Sequence, residues 1–157
     1  MGNEFPEAEL VRKSFTLRRM DLPPQIFETK RSMLRWFAIS FGLISERESR
    51  ATILDVLDSL FVLTVSKKST PTTKEFLSSM KSAGKKIDEK LLRYHLKRLI
   101  DSGLIERRKG KLSFAAAPQA DRSDIVAGFM HSICNPAQES LQGTAIVLGK
   151  LKEKYSR

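Results

Sequence analysis

The sequence predicts a mainly α-helical fold carrying one small β-hairpin. Three observations carry that expectation. Apolar residues recur at helical spacing along several segments, and capping residues, prolines and glycines divide these into pieces of helix length. A short alternating run straddles Lys109-Gly110, a dipeptide suited to a tight turn. The boundaries give a polar and basic arm over residues 1–22, an apolar helix over 23–45, a central unit over 46–117 and C-terminal helices over 118–157.

Taken in order, the first 20 residues are polar and partly basic and read as a flexible or docking arm. Pro23 and Pro24 then open a helix reaching about Ile44, because proline suits the first helical turn. Its second half is apolar around most of its circumference, so it requires cover from the same domain or from a second copy. Ser45 and Glu48 form a capping box for a helix over about 46–63 carrying Ile53, Leu54, Leu57, Leu60 and Phe61. After the polar break VSKKSTPTT, a second box at Thr72 and Glu75 starts a short helix with Phe76, Leu77 and Met80, ending near Ala83-Gly84.

The next stretch, IDEKLLRYHLKRLIDSGLIERRKGKLSF over residues 87–114, carries the most information. Asp88 is a good N-cap, and Ile87 before it can close a hydrophobic staple on Leu92. Leu92, Leu96, Leu99 and Ile100 share one face, and Gly103 supplies the left-handed residue that ends the helix. The remaining faces carry Lys90, Arg93, Tyr94, Lys97 and Arg98. Leu104 and Ile105 begin a strand, and Leu112 and Phe114 alternate on the return. The hairpin tip, Arg107, Arg108, Lys109 and Lys111, is suited to solvent or phosphate.

Beyond Pro118, Asp121 can cap a helix to about Cys134, and Asn135 with Pro136 can open another to about Tyr155. In the last helix Ala137, Leu141, Thr144, Leu148, Leu151 and Tyr155 are spaced 4, 3, 4, 3 and 4. This is a short seam for a coiled coil. It fits either pairing of two protomers or packing against the N-terminal helix of the same chain.

The run YHLKRLIDSGLIERRKGK resembles the recognition helix and wing of MarR/ArsR-like winged helix-turn-helix transcription regulators. The resemblance covers roughly residues 46–115 and is more specific for the fold than for a subfamily. It implies a winged core flanked by N- and C-terminal helices that pair two protomers. It also implies that the helix after Asp88 enters the major groove of DNA.

Charge distribution agrees with a nucleic-acid partner. Residues 67–111 hold 14 Lys/Arg against 5 Asp/Glu, nearly the whole formal charge of +10. Residues 1–66 hold 9 of each sign, and residues 112–157 hold 5 against 4. A surplus concentrated on one proposed reading surface is an electrostatic footprint for phosphate. A solvated lysine-rich face is the bland alternative. The candidate nucleic-acid-binding residues are Lys86, Lys90, Arg93, Tyr94, Lys97, Arg107, Arg108, Lys109 and Lys111. Arg93 is the first candidate for reading guanine, and the lysines for holding phosphates. Interface candidates between protomers are Trp36, Phe37, Phe41, Leu141, Leu148, Leu151 and Tyr155.

Other features argue for less. A single cysteine, Cys134, excludes an internal disulfide framework and fits a reducing compartment. His131 and Cys134 share a helical face but lack further ligands nearby, so neither a metal nor another cofactor is expected. His95 reads as a packing residue beside the turn. The N-terminal MGNEFPEAEL is too acidic and polar for a secretory signal. The apolar run Met33–Ile44 falls short of the roughly 20 residues that span a bilayer, so a cytoplasmic protein without a membrane contact is expected. No acid, base and nucleophile cluster, and no enzyme is expected.

The reading that follows is a homodimeric transcription regulator that binds double-stranded DNA. Two alternatives stay open. An RNA-binding or ribosome-associated factor would use the same basic surface together with the arm RKSFTLRR, residues 12–19. A protein–protein adaptor would depend on Trp36 or Leu148 rather than on Arg93 and Lys97.

Overall fold

The computed structural model describes residues 6–45 and 52–157, and these form six α-helices and a two-stranded antiparallel sheet. Two short 3₁₀ turns, Glu7–Leu10 and Pro24–Glu28, precede helix α1, Lys30–Ser40. Helix α2 is Thr52–Phe61, α3 is Thr73–Ser82 and α4 is Glu89–Ser102. Strands β1, Ile105–Arg108, and β2, Lys111–Phe114, follow at once. The chain ends in α5, Ile125–Phe129, and α6, Asn135–Tyr155.

Helices α2, α3 and α4 form as their sequence patterns require. Thr72 Oγ1 accepts from the Glu75 N–H at 3.2 Å, and Asp88 Oδ1 accepts from the Leu91 N–H at 2.7 Å. Each cap satisfies one of the N–H groups that a helix start leaves without a partner. At the far end of α4, Gly103 takes φ 86°, and the Gly103 and Leu104 N–H groups return to the carbonyls of Ile100 and Leu99. That is a Schellman closure. Glu48, the second member of the box proposed with Ser45, and the start of its helix at residue 46 lie outside the described residues.

The apolar faces of these elements meet in one core. Leu54, Leu57 and Leu60 of α2, Phe76 and Met80 of α3, and Leu92, Leu96 and Leu99 of α4 are completely buried. Leu112 and Ile105 bring the hairpin into the same cluster. The strands pair Ile105 with Phe114 and Arg107 with Leu112, so alternation sends every second side chain of β2 inward. Lys109 and Gly110 close the hairpin with φ 51° and 76°, as a two-residue type I′ turn needs. The Leu112 N–H donates to Pro71 O at 2.8 Å, tying β2 to the segment before α3.

Three sequence expectations change. The helix expected from Pro23 to Ile44 is divided. Pro24 opens only a 3₁₀ turn, because Thr29 adopts an extended conformation and caps a new helix, its Oγ1 accepting from the Ser32 N–H at 3.0 Å. At the other end Gly42, φ 72°, lets the Gly42 and Leu43 N–H groups close on Ile39 and Ala38, so α1 stops at Ser40. Second, Asp121 bonds to Ser123 in a turn, and Asp124 is the residue that caps α5 by accepting from the Ala127 N–H at 2.9 Å. Third, Asn135 does not begin a new helix. It is helical itself, and its N–H reaches Met130 O across a wide π turn, Met130–Cys134, that joins α5 to α6. Pro136 explains the widening: it has no N–H for an α-helical bond, and its ring needs space that a π turn provides. A similar turn, Val62–Ser66, extends α2, where the Thr64 hydroxyl takes the Leu60 carbonyl at 2.6 Å.

The arm lies along α1. The Arg18 N–H donates to Ser40 O at 2.8 Å, and Trp36 Nε1 donates to Asp21 O at 2.9 Å. Phe37 stacks on Phe41 with centroids 5.4 Å apart, and Phe41 meets Phe129 of α5 at 5.8 Å. Among the described residues, no helix is long and apolar enough to cross a membrane.

Gly128 of α5 sits against the chain leaving the hairpin, where an added methyl would collide with the Ala115 carbonyl. Gly128→Ala should therefore lower stability by about 1–3 kcal/mol, whereas Gly143→Ala, facing open space, should raise it by up to about 1 kcal/mol. Urea denaturation midpoints check both; an unchanged midpoint for Gly128→Ala would contradict this packing.

Candidate nucleic-acid interface

The buried stripe of α4 determines which of its side chains remain outside. With Leu92, Leu96 and Leu99 against the core, Lys90, Arg93, Tyr94 and Lys97 are all exposed. Lys86 is exposed in the turn before α4, and Arg107, Arg108, Lys109 and Lys111 are exposed on the hairpin. All nine residues expected from the sequence are thus solvent-facing, on α4, the turn before it and the hairpin.

Several of these cations already have local partners. Arg93 grips Glu89 one turn earlier, with Nη2 at 2.7 Å and Nε at 3.1 Å from the same carboxylate oxygen. Lys97 pairs with Asp101 at 3.3 Å and Arg108 with Glu106 at 3.2 Å. Arg107 Nη2 donates to Thr73 Oγ1 at 3.2 Å, linking the hairpin to the start of α3. Exposed pairs of this kind are worth about 0–1 kcal/mol, so phosphate or a base edge can displace them cheaply.

Arg98 and Arg18 have a different role, which the sequence reading missed. Arg98 turns inward and donates to Leu43 O at 3.0 Å, and its guanidinium lies 5.7 Å from the Tyr94 ring centroid. Arg18 donates to Ile39 O at 2.6 Å and Ile44 O at 2.8 Å. The two guanidiniums collect carbonyls at the C-terminal end of α1, where the helix dipole favours positive charge. The available signal was position: Arg98 lies three residues after His95 and four after Tyr94, at the edge of the apolar stripe. Arg18 had no local signal, since its acceptors lie 21 and 26 residues away. Within the basic arm, Arg18 therefore serves the fold.

His95 is buried on α4 beside Tyr94, with ring centroids 5.3 Å apart, and its Nδ1 has no hydrogen-bond partner among the described residues. Burial, and secondarily the Arg98 charge, hold its pKa below the ordinary imidazole range. Among the described residues, no three His, Cys, Asp or Glu side chains gather as a metal site.

The interface candidates divide into two groups. Trp36, Phe37 and Phe41 are half-buried and engaged within the chain. Leu141, Leu148, Leu151 and Tyr155 are exposed, as is every other residue of α6 from Gln138 onward. Packing of α6 against the N-terminal helix of its own chain is therefore not adopted.

Compared with known proteins, the chain matches no family model, no curated protein and no solved structure.

His95 yields a pH prediction. A folded-state pKa below the unfolded value means that the unfolded chain takes up the proton first. The histidine's contribution to stability is complete above about pH 6.5 and is lost as pH falls below it. The melting temperature should fall between about pH 7.5 and about pH 5.5, and less in His95→Gln. Equal falls in the two proteins would show that His95 is not the group responsible.

Proposed function

We propose that this chain is a winged helix-turn-helix regulator that binds double-stranded DNA as a homodimer in the cytoplasm. In this reading α2, α3 and α4 are the helical core, α4 is the recognition helix and the hairpin is the wing. The observation that carries it is the exposed cationic row of α4 beside an exposed cationic hairpin, both fixed by the same buried leucines. The resemblance of YHLKRLIDSGLIERRKGK to the MarR/ArsR-like regulators points the same way.

Recognition would proceed in two parts. Among the early positions of α4, Arg93 and Tyr94 reach base edges in the major groove, as the first turns of such helices do, and Lys90 holds a phosphate beside them. Arg93 exchanges its Glu89 pair for the two acceptors of guanine. The pair given up is worth about 0–1 kcal/mol, while a bidentate guanine contact contributes about 1–3 kcal/mol of discrimination. The exchange is therefore favourable at the correct base. Lys86, Lys97 and the hairpin cations lie along phosphates, giving affinity and salt dependence without sequence preference. A two-fold dimer would meet half-sites about 34 Å apart.

Fluorescence anisotropy on a random 30-mer duplex and on single-stranded RNA, across a salt series, tests the reading. Duplex affinity should fall steeply with salt, and Lys90→Ala, Lys109→Ala or Lys111→Ala should each reduce the log–log slope by about 1. Arg93→Ala should cost about 1–3 kcal/mol and relax preference at one base position of a selected site. Absence of duplex binding at low salt, or a preference for RNA, would overturn it.

A further inference from the structure

Helix α6 has an apolar side that no other described residue covers. From Gln138 onward it runs clear of the other described residues, with Leu141, Val147, Leu148, Leu151 and Tyr155 between 48% and 87% exposed. The sequence is a poor helix former by itself. Gly143 and Gly149 each disfavour helix by about 1 kcal/mol relative to alanine, and Thr144, Ile146 and Val147 are β-branched. Helices of such composition owe their persistence to packing rather than to propensity.

We infer that the cover is the α6 of a second copy, laid antiparallel, with the two-fold axis level with Ile146. The inference builds on the homodimer proposed above and specifies how the protomers meet. The seam spacing of 4, 3, 4, 3 and 4 reads the same in both directions, so it aligns in either orientation; size and charge decide between them.

The antiparallel arrangement sets Ala137 against the partner's Tyr155, Leu141 against the partner's Leu151, and Thr144 against the partner's Leu148. Every layer then joins a smaller side chain to a larger one or a leucine to a leucine. Parallel pairing sets alanine on alanine at one end and tyrosine on tyrosine at the other, leaving a void and a crowded layer.

The flanking positions point the same way. In the antiparallel pair Lys152 lies beside the partner's Gln138, and Lys154 beside the partner's Ser140 and near its Glu139. Val147 meets the partner's Val147 across the axis, and Ala145 the partner's Ala145, which covers the exposed valine. In parallel pairing the basic ends converge, bringing Lys150, Lys152, Lys154 and Arg157 alongside their own copies with Glu153 as the sole acidic residue. The two helix dipoles also oppose one another only when the helices run in opposite directions.

The seam and its flanks would bury on the order of 1,000 Å², where specific interfaces begin. A paired rod of 21-residue helices is about 30 Å long, so the two bodies stand at opposite ends of it.

Disulfide trapping in the full chain tests this. In a Cys134→Ser background, Leu141→Cys and Leu151→Cys are oxidised separately and as an equimolar mixture, then run on a non-reducing gel. Cross-linked dimer should form only in the mixture, because each cysteine's close neighbour is the other position on the partner. Cross-linking of either variant by itself would show parallel pairing and overturn the inference. Sedimentation equilibrium supplies the second readout. The unaltered chain should sediment as a dimer, and Leu148→Glu should weaken association at least about tenfold while leaving the thermal transition of the core in place. A monomer at all accessible concentrations would also overturn it. A monomer that still binds duplex refutes only the pairing, whereas a cross-linked antiparallel dimer without duplex affinity refutes only the DNA reading.

Discussion

Leu92, Leu96 and Leu99 occupy one face of α4, withdrawn from water against the leucines of α2 and the inward residues of the hairpin, and most of the remaining architecture depends on that contact. Fully burying a leucine side chain is worth about 1.5–3 kcal/mol in water-transfer terms, well above any single polar contact on this surface. Because a helix has 3.6 residues per turn, committing that stripe to the core also commits Lys90, Arg93, Tyr94 and Lys97 to the outside. The hairpin follows the same logic with period two: Ile105, Leu112 and Phe114 turn inward, and the basic tip remains in solvent.

The cations of the chain do two kinds of work. Arg93 and Lys97 on the exposed face of α4, and Arg108 on the hairpin, form loose pairs with neighbouring carboxylates and can exchange them. Arg18 and Arg98 instead use their rigid forks to collect backbone carbonyls at the end of α1 and hold the arm, α1 and α4 together. Tyr94 stands between the two groups, exposed on one side and close to Arg98 and His95 on the other. Through Arg98, Tyr94 lies one contact away from the carbonyl of Leu43 just beyond α1.

The C-terminal third obeys another constraint. Pro136 would break an ordinary α-helix, but a single wide turn lets α5 run on into α6. The result is one continuous rod, whose apolar side projects from the body instead of folding back on it. Gly128 fixes where the rod leaves, since only a residue without a side chain lets the Ala115 carbonyl approach so closely.

From its own residues the sequence determined the existence and end points of α3, α4 and the hairpin, through Thr72, Asp88, Gly103 and the Lys109-Gly110 turn. It also determined that Lys90, Arg93, Tyr94 and Lys97 of α4 face solvent, because capping and periodicity act within a few residues and need no distant partner. It did not determine the interruption at Thr29, the stop at Gly42 or the π turn before Pro136. There, two local preferences compete, and packing selects between them. Nor did it reveal that Arg18 and Arg98 serve carbonyls 21 to 55 residues away, or that α6 stands apart from α1. Those outcomes depend on which surfaces the folded chain brings together, and only the tertiary structure supplies that.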